Sequence, residues 1–135
     1  IERIEGGLLS YGNEFTRANN PFECGFGSQC YLGDDLEYVG SKALREISKK
    51  GFSRLIVGVK FGTEPSLPCA IPFLVTSVGG ETLGQITSAA FSPRLRCNVG
   101  LAILPLSHCE AESKVVVFTT DGKRHEGCVS SLPFG

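Results

Sequence analysis

The chain has 135 residues, 41% apolar and 20% charged, which fits one globular domain, or one domain and a piece of another, and excludes disorder. A formal net charge of −1 leaves no electrostatic reason to expect nucleic acid or an anionic membrane as a partner. The longest apolar runs, such as "VGLAILPL", fall far short of the roughly 20 residues that span a bilayer, and no basic region followed by an apolar core marks a signal peptide.

The chain opens on "IERIEGGLLSYGNE", in which Arg3, Glu5 and Tyr11 stand among apolar residues. A short strand is expected over Ile4 to Leu9, followed by an irregular segment in which "NNP" marks a turn. Alternation along such a strand puts Arg3 and Glu5 on one face, where they pair with each other or face a ligand. In "EYVGSKALREISKKG" the apolar residues Val39, Ala43, Leu44 and Ile47 recur at helical spacing. Ser41 reads as the N-cap, and Gly51 after Lys49 and Lys50 as the stop.

Everything after Gly51 reads as β. "SRLIVGVKF" alternates, with Leu55, Val57, Val59 and Phe61 on one face. "AIPFLVTSV" is a second strand, turned at Gly79 and Gly80 into "ETLGQITSA". "FSPRLRC" breaks the run, and "NVGLAIL" is continuously apolar, as a buried strand is. "KVVVFTT" and "KRHEGCVSSL" meet across Asp121 and Gly122 in a hairpin, for which a type I′ turn is expected. Short strands with turn signals between them point to a small barrel or sandwich.

The residue chemistry is sparse. Ser107, His108, Cys109 and Glu110 are adjacent, whereas catalytic partners converge from separate parts of a fold, so a solvated loop is expected. His125 has no evident partner, and Asp34 with Asp35 reads as a solvated turn. The six cysteines are scattered without metal-site spacing, and several lie beside apolar residues. Reduced thiols in a cytoplasmic protein are expected, rather than the disulfide framework of a secreted domain. No catalytic constellation and no metal site emerges. Arg3 and Tyr11 remain as candidates, the Arg fork suiting a carboxylate and the Tyr ring offering a flat surface with one polar tip. A surface ion pair and a half-buried Tyr are the plainer alternatives.

"RIEGGLLSYGNE", "NPFECGFG", "YVGSKAL", "VGVKF", "LGQITSAAFSPRL", "NVGLAIL" and the closing "PF" occur in the order characteristic of the glycine cleavage T-protein family, which the chain resembles over nearly its whole length. The resemblance implies a mainly β fold: a Greek-key or jelly-roll-like C-terminal barrel over 52–135, a connecting helix over 36–51, and in 1–35 the end of a folate-binding domain with its short strand. It also implies a tetrahydrofolate-dependent aminomethyltransferase, which moves a one-carbon unit from a lipoyl carrier protein to tetrahydrofolate. Arg3 and Tyr11 match the family's cofactor-binding Arg and Tyr, whereas Glu5 matches a motif Glu read as structural.

The family's catalytic Asp lies in a region that this chain lacks, so no catalytic residue is expected here and the chain alone is expected to be inactive. "ITSAAFSPRL" and "GFSRLIVGVKF" look more like the dimethylsulfoniopropionate demethylase branch, which moves a methyl group to tetrahydrofolate without a lipoyl partner. A branch serving iron–sulfur cluster assembly fits less well, because Glu37 stands where its motif has Cys. The folate-binding part of a flavin-dependent methylglycine dehydrogenase and a non-catalytic binding or scaffolding paralogue complete the alternatives. The resemblance places the protein in the cytoplasm, or in the mitochondrial matrix of a eukaryote. Thiol titration under denaturing, non-reducing conditions is expected to count all six cysteines, and a count of zero or two would restore the secreted, disulfide-linked reading.

Overall fold

A computed structural model describes all residues, Ile1–Gly135. After Gly51 the chain forms the strands β1 Arg54–Phe61, β2 Phe73–Ser77, β3 Thr82–Ser92, β4 Cys97–Pro105, β5 Lys114–Phe118 and β6 Arg124–Ser130. Their order is β1-β4-β3-β2-β5-β6, all neighbours are antiparallel, and β6 pairs back onto β1 to close a barrel. β2, β3 and β4 follow one another around the sheet, whereas β1 lies beside β4 and reaches β2 by a long connection. That is a Greek-key path.

The two-residue period of each strand sorts its side chains. Val57, Val59 and Phe61 of β1 point into the barrel with Phe73, Val75, Ile86, Leu104, Val117 and Val129, and Leu55 packs against them. Apart from Asn98, β4 is apolar because both of its faces are covered. Ala102 and Leu104 face the interior, while Val99 and Leu101 face outward beneath Ile4 and Phe134. Asn98 interrupts that run, fully buried, for a reason the sequence pattern does not show. Its Nδ2 donates to the carbonyls of Phe61 (3.1 Å) and Glu64 (2.8 Å), and its Oδ1 accepts from Ser66 N (2.9 Å), so it pins the β1–β2 connection.

The outer cover is built from both chain ends. The segment expected as a strand over Ile4 to Leu9 is instead a single helical turn, α1 Glu2–Glu5, followed by Gly7 at φ +69°. Ile1 and Ile4 are three residues apart, a helical rather than an alternating spacing, and the closed barrel has no free edge for a further strand to join. Arg3 and Glu5 therefore do not share a strand face, and each pairs elsewhere. Phe134 fits over β1 only because Gly58 lacks a side chain: a Cβ there would stand 2.6 Å from the Phe134 ring.

α2 runs Ser41–Lys50 between Gly40 (φ +88°) and Gly51 (φ +81°). Ser41 is its first residue rather than its cap, and Val39, expected on the apolar stripe, lies outside the helix and is fully exposed because Gly40 is left-handed. Leu44 and Ile47 are half-buried and Ala43 is exposed. The β5–β6 turn also departs from expectation. Only Gly122 has positive φ, and Thr119 N donates to Lys123 O (3.1 Å), so the hairpin closes through a three-residue loop instead of a type I′ turn.

Gly84 faces the Ile103 backbone carbonyl so closely that a Cβ would collide with it. Gly84→Ala is expected to destabilise the chain by at least about 1–3 kcal/mol in chemical denaturation. Gly79→Ala, whose Cβ would meet nothing nearer than Ser77 Oγ at 3.7 Å, serves as the control and is expected to be close to neutral.

Candidate functional site

α1 holds Arg3 against β3, and the turn that follows it carries Tyr11. The Arg3 guanidinium donates from Nη1 to Leu8 O (2.8 Å) and to Glu14 Oε2 (2.9 Å), and from Nη2 to Ser88 Oγ (2.9 Å). Glu14 is almost completely buried, at 1% side-chain exposure against 37% for Arg3. Its Oε2 also accepts from Ser10 N (2.6 Å), and its Oε1 accepts from the hydroxyls of Ser88 and, at 3.4 Å, Thr87. A buried carboxylate needs such partners because desolvation without them is costly. An arginine has five N–H donors, and three are committed here. Nε and one hydrogen of Nη2 remain free on a partly exposed group, a geometry able to receive an anion.

Tyr11 sits on the turn closed by Glu14 N donating to Ser10 O (3.1 Å), its ring edge-to-face with Phe15 at 5.6 Å. It is 62% exposed, and its hydroxyl makes no hydrogen bond. Neither Arg3 nor Tyr11 lines either of two cavities beside the barrel. One, of about 580 Å³, lies between the Gly6–Leu9 segment and the barrel; the other, of about 520 Å³, lies on the barrel wall near Lys60, Cys97 and Cys128. The Arg3–Tyr11 surface is open, and no group of three or more His, Cys, Asp or Glu side chains converges on a metal position.

Glu14 and Ser88 escaped the sequence reading. A signal was present, since Arg3 required a counter-charge and Glu14 is the carboxylate three residues after Tyr11 in "SYGNE". Ser88 could not be found that way, because its role depends on β3 passing beneath Arg3. The other polar candidates stay apart from this cluster. Ser107 Oγ and His108 Nδ1 meet at 2.9 Å on an exposed turn, but the Cys109 thiol turns to the carbonyls of Leu104 and Pro105. His125 does have a partner: its Nε2 lies 3.2 Å from Thr119 Oγ1, and its ring stands edge-to-face with Phe61. Asp34 is a solvent-facing turn residue, with a carboxylate 3.6 Å from Arg45 Nε. All six cysteines are free thiols, and burial pushes up the pKa of Cys24, Cys69, Cys97, Cys109 and Cys128, leaving them poor nucleophiles at neutral pH.

A second knot ties the chain ends together. Arg94, in the β3–β4 turn, donates from Nε to Glu5 Oε2 (3.2 Å) and from Nη2 to Phe134 O (3.0 Å), while Phe134 N donates to Glu5 O (2.9 Å). Three sequence pieces, "RIEGG", "SPRL" and "PF", thus meet at one point of the outer barrel wall. Farther along, the carbonyl of Glu23 accepts from Ile56 N (2.7 Å), and its carboxylate pairs with Arg54 (2.9 Å), which fixes "NPFE" to the start of β1.

A closed Greek-key barrel wrapped by an N-terminal segment, with an Arg–Glu–Ser cluster at their junction, defines the class of domain. Residues 55–134 match the glycine cleavage T-protein C-terminal barrel domain. The chain belongs to the glycine cleavage T-protein family. It is 42% identical over 125 residues to dimethylsulfoniopropionate demethylase DmdA of Ruegeria pomeroyi, covering 92% of this chain and 33% of that protein. It is 32% identical over 132 residues to an aminomethyltransferase of Symbiobacterium thermophilum, covering 98% and 34%. The glycine cleavage system aminomethyltransferase T from Bartonella henselae superposes with a TM-score of 0.76 at 25% identity, over 98% of this chain and 37% of that one. The chain spans about a third of the length of these curated relatives. No helix is long and apolar enough to cross a membrane.

The knot at Glu5 has a pH consequence. The Ser92 hydroxyl first, and then Arg94, lower the Glu5 pKa below its ordinary value of 4.5. A folded-state pKa that is depressed means that ionised Glu5 stabilises fully above about pH 4.5 and that this stabilisation is lost as pH falls through the folded value. Glu5→Gln is expected to flatten the acid side of the stability profile, and an unchanged acid limb would show that Glu5 titrates normally.

Proposed function

We propose that this chain is the C-terminal part of a tetrahydrofolate-dependent one-carbon transferase, and that Arg3 and Tyr11 are its contribution to the folate site. The observation that carries this reading is the state of Arg3, held rigidly on one side by Glu14, Ser88 and Leu8 while its remaining donors stay free. Folate combines a flat, hydrogen-bonding pterin with an anionic tail. A pre-oriented guanidinium and an exposed aromatic ring with a free hydroxyl suit those two features. Tetrahydrofolate would supply the nitrogen that accepts the one-carbon unit. This chain's residues bind and orient, which contributes rate by fixing the reacting partners rather than by proton transfer.

The catalytic carboxylate belongs, in this reading, to sequence outside the chain, and the open Arg3–Tyr11 surface is one wall of a pocket completed there. By itself the chain is inactive. The aminomethyl donor on a lipoyl carrier protein is the reading from the family as a whole, whereas the 42% identity to a dimethylsulfoniopropionate demethylase favours a sulfonium methyl donor. Both reactions fit a cytoplasmic or matrix protein. A non-catalytic paralogue would bind folate and transfer nothing.

The parent protein, carrying this chain with its upstream region, is the material for the test. Arg3→Lys keeps the charge beside Glu14 but loses the planar fork, and Tyr11→Phe removes the hydroxyl. Each is expected to weaken tetrahydrofolate binding by about 1–3 kcal/mol in calorimetric titration. Wild-type affinity in both variants would remove these residues from the site. Product analysis separates the donors: 5-methyl-tetrahydrofolate formed from dimethylsulfoniopropionate indicates the demethylase reading, and methylene-tetrahydrofolate with released ammonia the aminomethyl one.

A further inference from the structure

We infer that Glu14 is a positioning residue that aims the Arg3 guanidinium at the ligand, an inference that rests on the reading of Arg3 given above. Its two oxygens act in two directions. Oε2 binds Arg3 Nη1 (2.9 Å) and Ser10 N (2.6 Å), and so links the guanidinium to the turn that carries Tyr11. Oε1 accepts from Ser88 Oγ, which itself accepts from Arg3 Nη2 (2.9 Å). Arg3, Glu14 and Ser88 therefore form a closed ring of hydrogen bonds. The ring fixes the guanidinium plane as well as the position of its charge, and Leu8 O holds the remaining Nη1 hydrogen (2.8 Å).

What this restraint leaves free is Nε–H together with one Nη2–H. A free arginine side chain would lose much rotamer entropy on binding a ligand, and here that loss is already incurred on folding. The chemistry also explains why the residue is a glutamate. All four hydrogen bonds to Glu14 are donated to it, by Arg3, Ser10, Thr87 and Ser88. A carboxylate accepts them all, whereas a glutamine must turn an NH₂ toward one pair of donors. The side chain is 1% exposed, so no water replaces a lost partner.

The test is a double-mutant cycle read out as tetrahydrofolate affinity in the parent protein, with turnover and thermal unfolding measured alongside. Glu14→Ala is expected to weaken tetrahydrofolate binding by about tenfold to a hundredfold, raising KM for tetrahydrofolate while kcat at saturation stays within about twofold. Glu14→Gln keeps one acceptor oxygen for Arg3 and Ser10 and is expected to fall between wild type and Glu14→Ala. In an Arg3→Ala background Glu14→Ala is expected to add less than about twofold, because the group it aims has gone.

A purely structural role would lower the unfolding temperature and leave the affinity effects of Arg3 and Glu14 multiplying independently, which would overturn the inference. Wild-type affinity in Glu14→Gln and Glu14→Ala, with Arg3→Ala still impaired, would overturn it too while sparing the reading of Arg3. Unchanged affinity in Arg3→Ala would remove both. Should Glu14→Ala fail to fold, Glu14→Gln decides on the same criteria.

Discussion

The pairing of β6 with β1, from Gly58 opposite Ser130 to Phe61 opposite Gly127, closes the sheet and leaves little unpaired backbone along it, such as Ile56 N, which donates to Glu23 O. Anything added to the barrel must therefore attach through side chains or isolated backbone bonds. The N-terminal segment does so with a buried apolar contact at Ile4 and polar knots at Arg3–Glu14–Ser88, Glu5–Arg94 and Glu23–Arg54. Each knot reaches the barrel at a different strand or turn. Together they determine where the segment lies, which hydrogen bonding along a strand edge would otherwise have done.

This mode of attachment places the candidate site at a seam. Arg3 and Tyr11 belong to the wrapped segment, but the Ser88 hydroxyl that completes the ring around Arg3 belongs to β3. Barrel and site are coupled for that reason, and the barrel acts as a rigid base against which the guanidinium is oriented. The contrast between Glu14, at 1% exposure, and Arg3, at 37%, has the same origin: the anchor is inside the seam and the group that it anchors faces out. α2 takes little part in this, since its apolar residues Leu44 and Ile47 are only half-covered.

The β half was legible because strand alternation is local. Val57, Val59 and Phe61 face inward as their spacing requires, and "NVGLAIL" is continuously apolar because β4 is covered on both faces. The N-terminal turn was not legible as a strand or a helix from alternation alone. Arg3 and Glu5 look like one strand face in sequence, yet their partners lie 11 residues away at Glu14 and 89 residues away at Arg94. The β5–β6 turn shows a finer limit, since Asp121 and Gly122 signal a hairpin but not which residue takes positive φ.

Residue spacing and motif order determined the six strands, the helix before them, the family, and the two residues of interest at the N-terminus. Those are consequences of local periodicity and of short motifs that survive in order. The tertiary structure decided which carboxylate neutralises Arg3, that Ser88 shares in holding it, and that "RIEGG", "SPRL" and "PF" meet on one wall. Long-range partners are chosen by where the closed barrel carries each strand, and no window of neighbouring residues contains that information.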